Sequence, residues 1–106
     1  MRALFPLLPV LIASCTIEED EFAESYGKTV CSRLHDCQRS DYDDRYEERS
    51  ECVDEWAELA DTFLDIGDTL GQEYSPELAQ DCLEAIRAAS CSEFSDGQVE
   101  CQVFVE

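Results

Sequence analysis

Six cysteines spread from Cys31 to Cys101 through acidic, helix-patterned sequence constrain this chain more than any other feature, and a seventh, Cys15, stands apart from them. An even set in a short exported chain is most simply a disulfide framework of three bridges. That count depends on a separate use for Cys15. Ile12-Ala13-Ser14-Cys15 supplies one: an apolar residue, two small residues and a cysteine read as a lipobox, in which Cys15 becomes the lipidated first residue of the mature protein.

The residues before it support that reading. Arg2 and the α-amine form a short positive region, and Ala3 to Ala13 form an uncharged apolar run, the pattern of an export signal. The run is too short for a spanning helix, which needs about 20 apolar residues, and Pro6 and Pro9 interrupt it. Cleavage after Cys15 by an ordinary signal peptidase, releasing a soluble domain, is the alternative. The expected organisation is a lipoprotein signal peptide at 1–14, a lipidated anchor and short tether at 15–17, and one acidic, disulfide-rich helical domain at 18–106. The expected address is the bacterial cell envelope. Thr16, where an aspartate would signal retention at the inner membrane, favours the outer membrane, facing either the periplasm or the exterior.

Charge narrows the partners. The formal net charge is −19, and loss of Arg2 with the signal takes it to −20. A nucleic-acid partner is excluded by the lack of a basic surface for phosphates. Membrane contact is expected through the acyl chains, and a basic protein or divalent cations are the complementary partners. Trp56 and the periodic aliphatics argue that the domain folds despite its charge.

Periodicity gives an all-α, three-helix domain with an irregular C-terminal loop. Phe22, Tyr26, Val30 and Leu34 at four-residue spacing place helix 1 at about 18–38, with Thr16 and Glu19 as a capping box and Gly27 marking close approach by another helix. Arg39 to Asp44 is polar and turn-prone, and is expected to connect two helices. Helix 2, at about 45–68, turns Cys52, Val53, Trp56, Leu59, Ala60, Phe63 and Ile66 to the core and its acids outward, ending near Gly67 or Gly71. Ser75-Pro76-Glu77 opens helix 3, which runs to about Ala89 and buries Leu78, Ala79, Cys82, Leu83, Ile86 and Ala89. Residues 91–106 read as a loop with a short extended segment between Val99 and Val105.

Helical rise separates Cys31 from Cys37 by about 9 Å, too far for a bridge, and excludes Cys82 with Cys91 in the same way. Among the remaining pairings we expect Cys37–Cys52 across the first connection, Cys31–Cys82 between helices 1 and 3, and Cys91–Cys101 closing the C-terminal loop. The spacing of Cys31 and Cys37, Glu51-Cys52-Val53-Asp54-Glu55, Cys82-Leu83-Glu84-Ala85-Ile86 with Cys91, and Cys101-Gln102-Val103-Phe104 resembles the uncharacterised small, cysteine-rich predicted lipoproteins of myxobacteria and related bacteria. The resemblance covers most of the chain after Cys15. It implies a helical, disulfide-bonded, membrane-anchored domain and carries no catalytic residues with it.

Other local patterns fall short of sites. His35-Asp36 between cysteines resembles the catalytic helix of secreted phospholipases A2, but the cysteine spacing differs and the calcium loop is missing. Gly27-Lys28-Thr29 lacks the earlier glycine and strand of a phosphate loop. Asp41, Asp43 and Asp44 lack the glycine and glutamate of a calcium-binding EF-hand. With one histidine and no Cys-x-x-Cys pair, no metal site is expected, nor any cofactor besides the lipid on Cys15. The reading is a noncatalytic envelope lipoprotein acting as an acidic interaction or structural module. The alternative is an inhibitor-like effector that inserts the Cys91–Cys101 loop, with Phe94 at its tip, into a partner.

Overall fold

A computed structural model describes residues 16–105. The expected export segment and Cys15 lie outside the described residues. Among the described residues, five helices and one two-stranded ribbon follow in order: α1 (Glu19–Cys37), α2 (Arg39–Arg45), α3 (Arg49–Thr69), β1 (Glu73–Tyr74), α4 (Pro76–Ala88), α5 (Cys91–Ser95) and β2 (Phe104–Val105). The three long helices are those expected from periodicity. The domain is helical and carries three disulfides.

The centre of the fold is the seam between α1 and α3. Gly27 is buried there, and a Cβ at this position would lie 2.6 Å from the Val53 carbonyl oxygen and 3.2 Å from the Ala57 nitrogen. Only the missing side chain lets the backbones approach so closely. One turn further, Cys31 bonds Cys52 with both residues wholly buried and Cα atoms 6.0 Å apart. Tyr46 covers this bridge. On another side of α1, the α4 face made by Ala79, Cys82, Leu83 and Ile86 joins Phe22, Ala23 and Val30 in the main core. Helices α3 and α4 meet only marginally. The C-terminal segment runs back between them and contributes Val103 and Phe104 to the core.

All three expected cysteine pairings are corrected. The bridges are Cys31–Cys52, Cys37–Cys91 and Cys82–Cys101. At about 100° per residue, six residues turn Cys37 roughly 120° around the helix from Cys31. Cys31 faces α3, so Cys37 faces away from it, toward α5, and Cys52 is left to Cys31. Cys82, buried on α4, takes Cys101 from the returning C-terminal segment. The expected Cys91–Cys101 loop therefore does not exist. Phe94 lies on α5, half-buried against the core, and is not a projecting tip.

The connection expected at 39–44 is instead the short helix α2, and α3 begins later than expected, at Arg49. Tertiary contact overrides turn propensity here. Tyr42 meets the His35 ring edge-on at 5.2 Å and Tyr46 at 5.5 Å, which favours helical spacing between the two tyrosines. Glu48 and Glu51 then form a capping box that sets the start of α3. Helix α1 starts after Glu18, which makes no side-chain cap, so Thr16 and Glu19 are not the capping box expected. The Tyr74 hydroxyl donates to the Ile17 carbonyl at 2.7 Å, holding the chain outside the helix at that point. At the other end of α3, Gly71 has φ 78° and donates to Asp68, while Gln72 donates to Gly67. This is a Schellman termination, and it identifies Gly71 as the stop. Gly67 instead lies under the Phe104 ring, where a side chain would collide.

Within the region expected to be loop, Ser90 and Glu93 cap α5, and β2 pairs antiparallel with β1, Glu73 opposite Val105 and Tyr74 opposite Phe104. Ser75 is the N-cap of α4, accepting from the Leu78 amide at 3.2 Å, with Pro76 as its first residue.

Gly27→Val should lower the free energy of urea unfolding by about 2 kcal/mol or more, because the seam cannot admit a side chain without parting. Gly71→Ala, in open space at positive φ, should cost only about 1 kcal/mol. Burial, with the Glu19, Glu18, Glu21 and Asp20 carboxylates adding repulsion, pushes the Tyr74 hydroxyl up to about 12. A raised folded pKa stabilises the fold below the usual tyrosine value near 10 and is lost as pH rises through about 12. Absorbance-monitored alkaline titration should show this late phenolic ionisation coupled to unfolding, and Tyr74→Phe should remove that coupling.

Candidate functional site: an open apolar cleft along α1

The stripe expected on helix 2 divides into two parts. Cys52 and Ala60 are buried and Val53 and Trp56 half-buried, but Leu59, Phe63 and Ile66 are 50–55% exposed and Leu70 is 70% exposed. Leu64, absent from the expected stripe, is buried instead. The reason lies in the fold: α4 packs on α1 and leaves the second half of α3 without a covering helix. Cys52, Trp56, Leu59, Phe63, Ile66 and Leu70 alternate in steps of four and three, the spacing of a helix-pairing seam. Its first two residues pack within the domain. The other four form an exposed ridge.

Beside the ridge is a cleft of about 360 Å³ with Phe22 and Tyr26 of α1 as its floor, Leu59, Ala60, Phe63 and Ile66 as one wall, and Cys101 and Val103 as the other. A neighbouring cleft of about 420 Å³ shares Tyr26 and Cys101 and continues past Val30 and Leu34 to Gln38, between Trp56 and Phe94. Together they follow the four-residue row Phe22, Tyr26, Val30, Leu34 and Gln38, about 24 Å of helix. The edge nearest Leu59 is acidic, carrying Glu55 and Glu58 beside Thr62. Arg45 holds Glu55 at 2.6 Å. Glu58 pairs with no cation among the described residues.

Near the first turn of α1, burial and the neighbouring Asp68 and Asp65 carboxylates raise the Glu19 pKa. That places the α1 start beside the Leu70 end of the ridge. In sequence, Glu19 is four residues from Cys15.

The other sequence candidates stay separate from the cleft. His35 meets Tyr42 and lies 3.6 Å from Asp36, while the Ser32 hydroxyl accepts from Arg49. Asp41, Asp43 and Asp44 are exposed on α2, where Asp43 pairs with Arg39 at 3.5 Å. Gly27-Lys28-Thr29 lies inside α1. Among the described residues, no group of three or more His, Cys, Asp or Glu side chains is arranged to hold a metal ion. Nor is any described helix long and apolar enough to cross a membrane.

These features define a small, acidic helical domain held by three disulfides around a central helix. The chain matches a family of unknown function (DUF6184) over residues 31–103 and belongs to that family. The match takes in all six bridged cysteines and most of the ridge's surroundings. No curated protein matches the chain. No solved structure matches it either.

Leu70→Ser should change unfolding stability by no more than about 0.5 kcal/mol, as for other exposed positions. Leu64→Ala, six residues back on the buried side, should cost about 2 to 5 kcal/mol. The contrast, read by chemical denaturation, checks which side of α3 is open.

Proposed function

We propose that the protein is a noncatalytic lipoprotein of the bacterial envelope, anchored at the outer membrane through lipid on Cys15, whose cleft captures an apolar, basic-flanked helix of a partner protein. The exposed Leu59-Phe63-Ile66-Leu70 ridge on a chain of −19 formal charge is the observation that carries this reading. Contiguous exposed apolar surface with a polar rim marks interaction sites. Seam spacing suits a partner helix with apolar residues three and four apart. The acidic rim selects lysine and arginine flanks and disfavours anionic lipid as the occupant.

The lipobox supports the anchor, and the resemblance to myxobacterial cysteine-rich lipoproteins supports the envelope setting. With Glu19 four residues after Cys15 and near Asp68, the ridge would begin close to the membrane and present itself to juxtamembrane segments.

The test is calorimetric titration with two synthetic amphipathic helices of identical apolar pattern, one flanked by lysine and one by glutamate. The lysine peptide should bind and weaken with added salt, while the glutamate peptide should not bind. Phe63→Glu should weaken capture by at least about tenfold, as for loss of a central aromatic anchor. Equal binding of both peptides, or no effect of Phe63→Glu, contradicts the proposal. Intact mass of membrane-extracted protein, with and without Cys15→Ala, tests the anchor independently: acylation should be present in the first and absent in the second.

A further inference from the structure

The chain has seven lysines and arginines against 26 acids, yet four of those cations meet on one face. Lys28, Arg33, Arg49 and Arg87 line a pocket of about 340 Å³ with Thr29 and Ser32, and Asp36 is the only carboxylate in its lining. The pocket draws on three helices: α1 supplies Lys28 to Asp36, α3 supplies Arg49 at its first turn, and α4 supplies Arg87. None of its lining residues belongs to either apolar cleft.

The pairing of these cations is unusual for so acidic a protein. Arg39 and Arg45, elsewhere, bind carboxylates at 3.5 and 2.6 Å. In the pocket, Lys28 holds Glu24 at 2.9 Å, but the Arg33 contact with Asp36 is at 4.0 Å. Arg49 and Arg87 pair with no carboxylate among the described residues. Arg49 instead donates one nitrogen to the Lys28 carbonyl at 3.2 Å and the Ser32 hydroxyl at 3.0 Å. Arg33, whose side chain is 18% exposed, donates to the Ala89 carbonyl at 2.6 Å, and its Nε is buried without a partner. Thr29 beside them is 7% exposed.

These tethers fix two guanidinium groups while leaving donor capacity unused. Fixing a side chain in advance reduces the ordering cost of binding a ligand. Acids elsewhere on the molecule are screened beyond about 8 Å at physiological ionic strength, so the local excess of four cations over Asp36 and the Lys28-bound Glu24 governs the pocket. Cations arriving from three helices suit a ligand with several oxygens and more than one negative charge. A planar carboxylate would use only part of that set, whereas a phosphate group would use it all.

We infer that the Lys28-Arg33-Arg49-Arg87 pocket is a binding site for a phosphate group, carried either by a free phosphate or by a lipid headgroup. This site is independent of the apolar cleft. The probes are inorganic phosphate and pyrophosphate titrated by calorimetry into the full chain in nonionic micelles, and the same micelles doped with phosphatidic acid, followed through arginine Nε–H resonances. Saturable binding of a free probe assigns a soluble phosphate, and a response to phosphatidic acid alone assigns a headgroup. Arg87→Gln, at an exposed position that leaves the core intact, should weaken binding about tenfold, and Arg49→Gln should do the same. Arg39→Gln, outside the pocket, should leave it unchanged. Failure of every probe to bind saturably overturns the inference, as does binding unaltered by both Arg87→Gln and Arg49→Gln or weakened equally by Arg39→Gln. Helical circular dichroism of each variant confirms that the fold is retained.

Discussion

The close seam between α1 and α3 is the interaction on which the rest of this structure depends. Gly27 admits the Val53 carbonyl to the helix surface, and the buried Cys31–Cys52 bridge locks the same pair of helices one turn further along. A domain this small buries too little apolar surface to be stable by a wide margin. Self-repulsion from its 26 acids reduces that margin further. Three bridges, each contributing about 2 to 4 kcal/mol by restricting the unfolded chain, offset these costs. They do so in three directions: α1 to α3, the end of α1 to α5, and α4 to the returning C-terminal segment.

That arrangement makes α1 a shared spine with different chemistry on each side. Because α3 and α4 both pack on α1 and meet each other only marginally, the far half of α3 has no covering helix, and its ridge remains open beside Tyr26. Around the spine, Lys28, Ser32 and Asp36 point into the pocket where Arg49 and Arg87 arrive. Apolar and cationic surfaces are thereby kept apart on a protein whose remaining surface is acidic. Cys101, bridged to Cys82, forms part of the apolar cleft's wall and holds it in place.

The helices were legible in the sequence because each carries a strong local signal. The Phe22-Tyr26-Val30-Leu34 row, the Ser75-Pro76 start of α4 and the need for close packing at Gly27 each rest on a few adjacent residues. The cysteine pairing was not legible, because it depends on which direction Cys31 and Cys37 face around one helix once α3 has chosen its side. Likewise, residues 39–45 are helical because Tyr42 meets His35 and both tyrosines pack against the Cys31–Cys52 bridge, a tertiary contact. Periodicity marked Leu59, Phe63 and Ile66 as apolar but could not say whether a neighbour covers them. Leu70, one further step in the same pattern, extends the seam past the expected end of the helix and was the available sign of a ridge serving something beyond the core. The basic pocket had no sequence signature, since its cations come from positions as distant as Lys28 and Arg87.

Helix α1 is fastened to α3 at Cys31 and to α5 at Cys37, and this fastening fixes which side of α1 each neighbour takes. Proteolysis under nonreducing conditions that block thiol exchange, followed by mass spectrometry of the linked peptides, tests it directly. Cys31–Cys52, Cys37–Cys91 and Cys82–Cys101 are the linked pairs expected. Recovery of Cys37 linked to Cys52 as the main product would contradict it.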